Sequence, residues 1–223
     1  MSDVAVGAKA GHLAGRRARF SRVANARALL RDYGHGELLS GLTYGQFSLI
    51  DLIQAALDVT GPAHVAISTW SAGFYDIDAA ERFRDNGLML SCRFVLDSSQ
   101  QKRGQATAFD VAELFGRESV RTTRSHAKFV TIQNDSWSIV ITSSMNLNLN
   151  QRVEQFMLVD DQATFDVFSG FVEELFLTEP FSVEDRTMPA LPGLDDDAGA
   201  LAIEATSWRK IERGSFPKIG RFE

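Results

Sequence analysis

The sequence has one cysteine, Cys92, in 223 residues, so no internal disulfide can form and a cysteine-based zinc site is excluded. Set in the apolar-rich run Leu88 to Leu96, that cysteine reads as a buried small hydrophobe. No apolar stretch approaches the roughly 20 residues of a bilayer span, and no opening segment joins a charged start to an apolar run and a small-residue cleavage site. A cytoplasmic location without a membrane partner is the expectation. Histidine is scarce as well, and His12, His35 and His64 have no companions at metal-ligand spacing, so neither a metal nor any other cofactor is expected. Net positive charge is also missing: the formal value of −6 argues against a surface that is basic all over.

What charge there is lies unevenly along the chain. Between Met1 and Gly36 the cations are Lys9, Arg16, Arg17, Arg19, Arg22, Arg27 and Arg31, against only Asp3 and Asp32. Between Glu154 and Glu204 acids dominate, including the run Asp195 to Asp197, and Arg186 is the only base. A phosphate-binding face would therefore draw on the N-terminal segment and the middle of the chain, not on the acidic stretch.

With 44% hydrophobic residues the chain can bury a core, and one α/β domain is the natural size. After a small-residue terminus, Phe20, Val23, Ala26 and Leu30 stand at helical spacing and predict a helix over Arg16 to Leu30. Thr43 and Gln46 resemble a capping box for a strongly apolar helix that Gly61-Pro62 stops. Strands are expected at Val65 to Trp70 and Leu88 to Leu96, and helices at Ile77 to Arg84 and Phe109 to Phe115. Three strand-like runs follow, His126 to Ile132, Trp137 to Thr142 and Arg152 to Val159, the first two joined by the turn residues Asn134-Asp135-Ser136. A last helix, Ala163 to Leu177, precedes Pro180. This order divides the chain into a cationic segment with a helix (1–36), a catalytic domain (37–181) and a linker with a tail (182–223).

The chemistry-bearing residues crowd into Ser125-His126-Ala127-Lys128, Ser143-Ser144-Met145-Asn146 and Glu154-Gln155. Side chains alternate along a strand, so His126 and Lys128 are expected on one face, and a hairpin would bring Ser144 and Asn146 beside them. Glu154 stands among apolar neighbours in its strand and needs a donor, for which the His126 imidazole is the candidate. A neutral imidazole can attack phosphorus while a carboxylate fixes its tautomer, and an ammonium, an amide and a hydroxyl can hold the non-bridging oxygens.

His-x-Lys, then Ser-x-Asn, then a downstream Glu resembles the HKD motif of the phospholipase D superfamily, directly over Arg124 to Val159 and loosely to about Phe181. The looser run through Glu154-Gln155 is similar to phage-associated members. The resemblance implies an α/β fold with a mixed β-sheet flanked by helices, a metal-independent phosphodiesterase and a phosphohistidine on His126. It implies catalytic roles for His126, Lys128, Asn146 and Glu154, and phosphate binding by Ser144. Arg124 and Arg121 add charge nearby and are expected to contact substrate. Two positions depart from the pattern: Gln133 stands where the family has Asp, and Ser143 where it has Gly.

A nuclease is the leading expectation, with DNA ahead of RNA. A binding or assembly module that keeps the fold without turnover is the alternative, and lipid phosphodiester chemistry is a third reading with little sequence support. The leaving oxygen needs a proton, which a second motif's histidine supplies in two-motif family members. This chain has one such motif. A homodimer that shares its active site across a two-fold axis is therefore expected.

Overall fold

Alternating apolar residues build the centre of the molecule. Ile139, Ile141 and Leu158 point to one face of a sheet and join the main core, whereas Val140 and Val159 point to the other. A computed structural model describes residues 15–20, 25–70, 85, 87–97, 103–147, 152–178 and 180. The chain divides into two units, Met1–Pro189 and Ala190–Glu223, and the described residues all lie in the first. Their strands are β1 (Gly15–Phe20), β2 (Glu37–Thr43), β3 (Ala63–Thr69), β4 (Met89–Asp97), β5 (Val120–Thr123), β6 (Phe129–Gln133), β7 (Ser138–Ser143) and β8 (Glu154–Asp160). The helices are α1 (Ala26–Leu30), α2 (Leu49–Thr60), α3 (Arg103–Phe115) and α4 (Gln162–Phe176).

The strands form one mixed sheet in the order β1-β2-β8-β7-β6-β3-β4-β5. β1 and β2 are parallel, as are β3, β4 and β5, and the pairs between β2 and β3 along that order are antiparallel. Residues of α1, α2 and α3 pack into the main core on one face, and Phe165 and Phe168 of α4 close the smaller cluster around Val140 and Val159 on the other. The expected mixed α/β architecture is what the chain adopts. Among the described residues no helix is long and apolar enough to cross a membrane.

Helix α2 is buried on several sides through Leu49, Leu52, Ile53, Ala55, Ala56 and Leu57, as its apolar run predicts. It ends where expected: the Gly61 N–H bonds the Leu57 carbonyl at 2.9 Å, with Gly61 at φ +72°, a conformation that glycine adopts without a Cβ penalty. Its start differs from the expectation. Ser48 and Asp51 form the capping box, whereas the Thr43 hydroxyl donates to Gln46 Oε1 at 3.0 Å within the turn that leaves β2.

The helix expected over Arg16 to Leu30 is also different. Gly15–Phe20 pairs in parallel with Glu37–Leu42 as an edge strand, and helix begins only after Asn25, whose side chain accepts the Ala28 N–H at 2.8 Å. A segment with arginine at three of six positions suits an edge, where charge discourages pairing with other chains. The expected helix at Ile77 to Arg84 lies outside the described residues.

Candidate active site

Three parallel strands, β3, β4 and β5, end on the same side of the sheet as the start of β6, the end of β7 and the start of β8. The carboxyl ends of parallel strands are where α/β proteins place ligands, because the backbone there opens into loops. The register sets the neighbours. Ser68 of β3 pairs with Phe129, which pairs with Thr142, and Ser143 pairs with Phe156. His126, Lys128, Ser144 and Glu154 therefore cluster just beyond, or at, these strand ends.

His126 and Lys128 were expected inside a strand, but β6 starts at Phe129. Local polar bonds shape the preceding residues, and the Lys128 carbonyl still accepts the Ser143 N–H at 3.1 Å. Ser125 Oγ accepts the Ala127 N–H at 3.1 Å, the Ser125 N–H donates to Asp97 Oδ1 at 3.2 Å, and the Ser68 hydroxyl donates to the Ala127 carbonyl at 3.1 Å. The segment is thus pinned to β3 and β4 while its histidine stays exposed. Lys128 Nζ lies 3.1 Å from the His126 carbonyl oxygen and 3.4 Å from His126 Nδ1. An ammonium can only donate, so in this arrangement Nδ1 is the acceptor and the ring proton belongs on Nε2. Burial pushes the Lys128 pKa below the ordinary lysine value of 10.5, against the opposing pull of the Glu154 and Asp97 carboxylates.

Glu154 is half-buried, and its carboxylate accepts the Ser144 hydroxyl rather than a proton of the His126 ring. The sequence-based pairing misses this because Ser144 lies directly across the β7–β8 ladder: its N–H bonds the Gln155 carbonyl at 3.1 Å, and its Oγ accepts the Gln155 N–H at 3.0 Å. Asn146 is half-buried with its Oδ1 fully enclosed and without a hydrogen-bond partner. With the oxygen end turned inward, the two Nδ2 donors are the end left to meet an incoming acceptor.

The two positions that depart from the motif sit away from the chemistry or support it. Gln133 pairs with His64 and Ser138 at the opposite end of β6, about 17 Å from Lys128 at 3.3 Å per residue. Ser143 is buried, and its hydroxyl donates to the Gln155 carbonyl at 2.9 Å and accepts the Met145 N–H at 2.9 Å. It braces the turn that presents Ser144 and Asn146.

Arg121 does not join this cluster. It is 6% exposed, donates through Nε to the Thr178 carbonyl at 2.9 Å and through one terminal nitrogen to the Glu118 and Val120 carbonyls, and its guanidinium lies 4.5 Å from the Phe176 ring centroid. Its carbonyl partners are Thr178, just past α4, and Glu118 and Val120 beside and within β5, so the guanidinium expected at the substrate is engaged with the scaffold. Arg124, by contrast, is exposed next to the cluster.

Two residues that the motif did not single out complete the site. Trp70, at the end of β3, places its ring centroid 5.7 Å from that of His126 at an interplanar angle of 52°. Asp97, 3% exposed at the end of β4, holds the His126 segment through Ser125. An acid closing the apolar run Phe94-Val95-Leu96 is the signal that would have found it. Among the described residues no three of His, Cys, Asp and Glu come close enough to hold a metal ion. A cavity of about 430 Å³ beside α4, lined by residues including His64, Arg93, Gln133 and Glu173, opens at the other end of β3 and β6.

No protein-family model matches the sequence, and no curated protein sequence matches it. Several solved structures are similar at low identity. NucT from Helicobacter pylori has a TM-score of 0.44 and 16% identity over 65% of this chain and all of its own. Polyphosphate kinase from Porphyromonas gingivalis has a TM-score of 0.42 and 14% identity over 65% of this chain and 27% of its own. Phosphatidylserine synthase from Haemophilus influenzae Rd KW20 has a TM-score of 0.41 and 16% identity over 74% of this chain and 45% of its own.

Proposed function

We propose that the chain is a phosphodiesterase of the phospholipase D type that cleaves nucleic acid, DNA ahead of RNA, without a metal ion. The observation that carries this reading is the arrival of His126, Lys128, Ser144, Asn146 and Glu154 at one end of one sheet. A diester phosphate offers only acceptor oxygens. Lys128 supplies charge and Asn146 Nδ2 supplies donors, in a setting where partial burial strengthens both.

The reaction runs in two steps. A lone pair of the His126 imidazole attacks phosphorus, an N–P bond forms, and the P–O bond to the leaving group breaks as that oxygen takes a proton. Water then attacks the phosphohistidine, the N–P bond breaks, and a phosphate monoester leaves with the imidazole restored. In the free chain Lys128 faces Nδ1. Phosphate binding draws the ammonium to its oxygens and frees that nitrogen, so Lys128 acts both as charge donor and as the group that releases the nucleophile.

The proton for the leaving oxygen comes, in this reading, from the His126 of a second copy. His35 and His64, the other described histidines, are spent elsewhere. His35 stacks on Trp137 and bonds Asp160 at 3.1 Å, and His64 bonds Ser91 at 2.8 Å. A two-fold axis beside the site would pair the two His126 rings across one phosphate.

Cleavage of DNA and RNA substrates in chelator by wild type and His126→Ala tests the reading: wild type turns over and the variant does not. An inert wild type across these substrates overturns it. One observation favours a second reading, a nucleic-acid-binding module without turnover: Glu154 is closed on Ser144 and leaves the His126 ring without a carboxylate. Tight binding by wild type and His126→Ala alike, with no cleavage by either, would select it.

A further inference from the structure

Among the described residues four large hydrophobic side chains are conspicuously exposed, and two of them flank the site. Tyr44 is 54% exposed and Val153 58% exposed, and they immediately adjoin Thr43 and Glu154, the last register pair of β2 with β8. Exposed Arg152 follows on the same rim. Across the sheet, Trp70 leaves the end of β3 against His126, with exposed Arg124 beyond it. Two aromatics and two arginines thus bracket the phosphate-facing groups from opposite sides.

The spacing fits a strand of nucleotides. From β2 to β3 the sheet order runs β2-β8-β7-β6-β3, four inter-strand steps, or about 19 Å at 4.8 Å each. An extended strand of a few nucleotides covers that distance, with a phosphate nearer the Trp70 end, where Lys128 and His126 precede β6, one step from β3 and three from β2. Bases in a duplex are already stacked on one another and cannot meet an aromatic ring without being unstacked, whereas unpaired bases can. Aromatic rings interleaved with cations along a track is the arrangement that holds single strands regardless of sequence.

We propose that this end of the sheet is a single-strand track in which Tyr44 and Trp70 stack unpaired bases on either side of the scissile phosphate. The proposal deepens the phosphodiesterase reading and rests on it for the position of the phosphate. Tyr44 is the cleaner test because an exposed ring can be removed without opening the core.

The experiment measures, at one fixed salt concentration, anisotropy of a fluorescein-labelled mixed-sequence DNA single strand and of the matching duplex with the full chain. Wild type is expected to bind the single strand at least tenfold more tightly than the duplex. Tyr44→Ala and Trp70→Ala should each raise the single-strand Kd about tenfold or more, while Tyr44→Phe and Trp70→Phe restore it. Equal affinity for the two DNA forms, or an unchanged Kd in Tyr44→Ala, overturns the track. Turnover of bis(4-nitrophenyl) phosphate by the same wild-type preparation reads the phosphodiesterase proposal separately. Turnover without single-strand preference sinks the track alone, and single-strand preference lost in Tyr44→Ala but without turnover upholds the track and sinks the chemistry.

Discussion

Asn134→Ala should destabilise the fold strongly while leaving the chemistry of the folded protein intact. The Asn134 amide is a four-way clasp. Its Nδ2 donates to the Thr60 carbonyl at 3.0 Å and the Pro62 carbonyl at 3.1 Å, and its Oδ1 accepts the N–H groups of Ser136 and Trp137, each at 3.0 Å. One side chain thereby shapes the β6–β7 turn and ties it to the connection between α2 and β3. Hydrogen bonds of this kind contribute about 0.5–1.5 kcal/mol each, and the freed carbonyls are near enough to water to be rehydrated, so the loss sums to about 2–4 kcal/mol. At roughly 2–4 °C per kcal/mol for a chain of this size, Tm should fall by about 4–16 °C. Asn134→Asp keeps both acceptor bonds but sets a carboxylate against two carbonyl oxygens, and it should fall between wild type and alanine or below. The turn lies about 20 Å from Lys128 along β6, so kcat/KM on a chromogenic diester at 20 °C should stay within about twofold of wild type. Scanning calorimetry with a matched rate assay decides the matter. A Tm change below about 2 °C would show that the clasp does not hold the turn, and a large rate loss at unchanged Tm would show that the site depends on it.

Charge and packing give further expectations. Lys128 acts while protonated and burial lowers its pKa, so activity should fall as pH rises through a value below 10.5; Glu154→Gln removes a carboxylate that raises that pKa and should shift the alkaline limb of the pH–rate profile to lower pH. The same variant should keep the fold, because its amide oxygen can still accept the Ser144 hydroxyl, and an unmoved limb would separate Glu154 from Lys128. Arg121→Met should cost about 2–4 kcal/mol in thermal unfolding by removing the donor to the Thr178, Glu118 and Val120 carbonyls, with KM unchanged; a raised KM at constant Tm would return Arg121 to the substrate. If two copies share the site, specific activity should collapse on dilution below the dimer constant, whereas light scattering of a monomer with turnover strictly proportional to protein would require another acid within the chain.

Periodicity made the centre of the fold legible. The alternation in Ser138–Ser143 and Glu154–Asp160 identifies half of the site's scaffold, and Asn134-Asp135-Ser136 marks the hairpin turn that joins β6 to β7. Short-range polar bonding was not legible. Ser125 and Ser68 bond Ala127 ahead of β6, so His126 and Lys128 meet through a loop and not as alternate residues of a strand. The partner of Glu154 is not legible either, because its donor, Ser144, is set by the β7–β8 register, which a motif does not encode. Trp70 and Asp97 reach the site from the ends of parallel strands far away in sequence, and β5, only four residues long and carrying Arg121, gives no periodic signal. The edge strand β1 reads as helix because its last residue, Phe20, continues through Val23, Ala26 and Leu30 at a 3.6-residue period, whereas its backbone pairs with β2.

The central claim is a covalent bond between His126 and phosphorus. Rapid quench of wild type with a ³²P-labelled diester into alkaline denaturant, followed by digestion and peptide mapping at alkaline pH, measures it directly. The account predicts acid-labile, base-stable label on the peptide that contains His126, absent in His126→Ala and formed equally in the presence of chelator. Turnover without label on His126, or label that forms only with an added divalent cation, would contradict it.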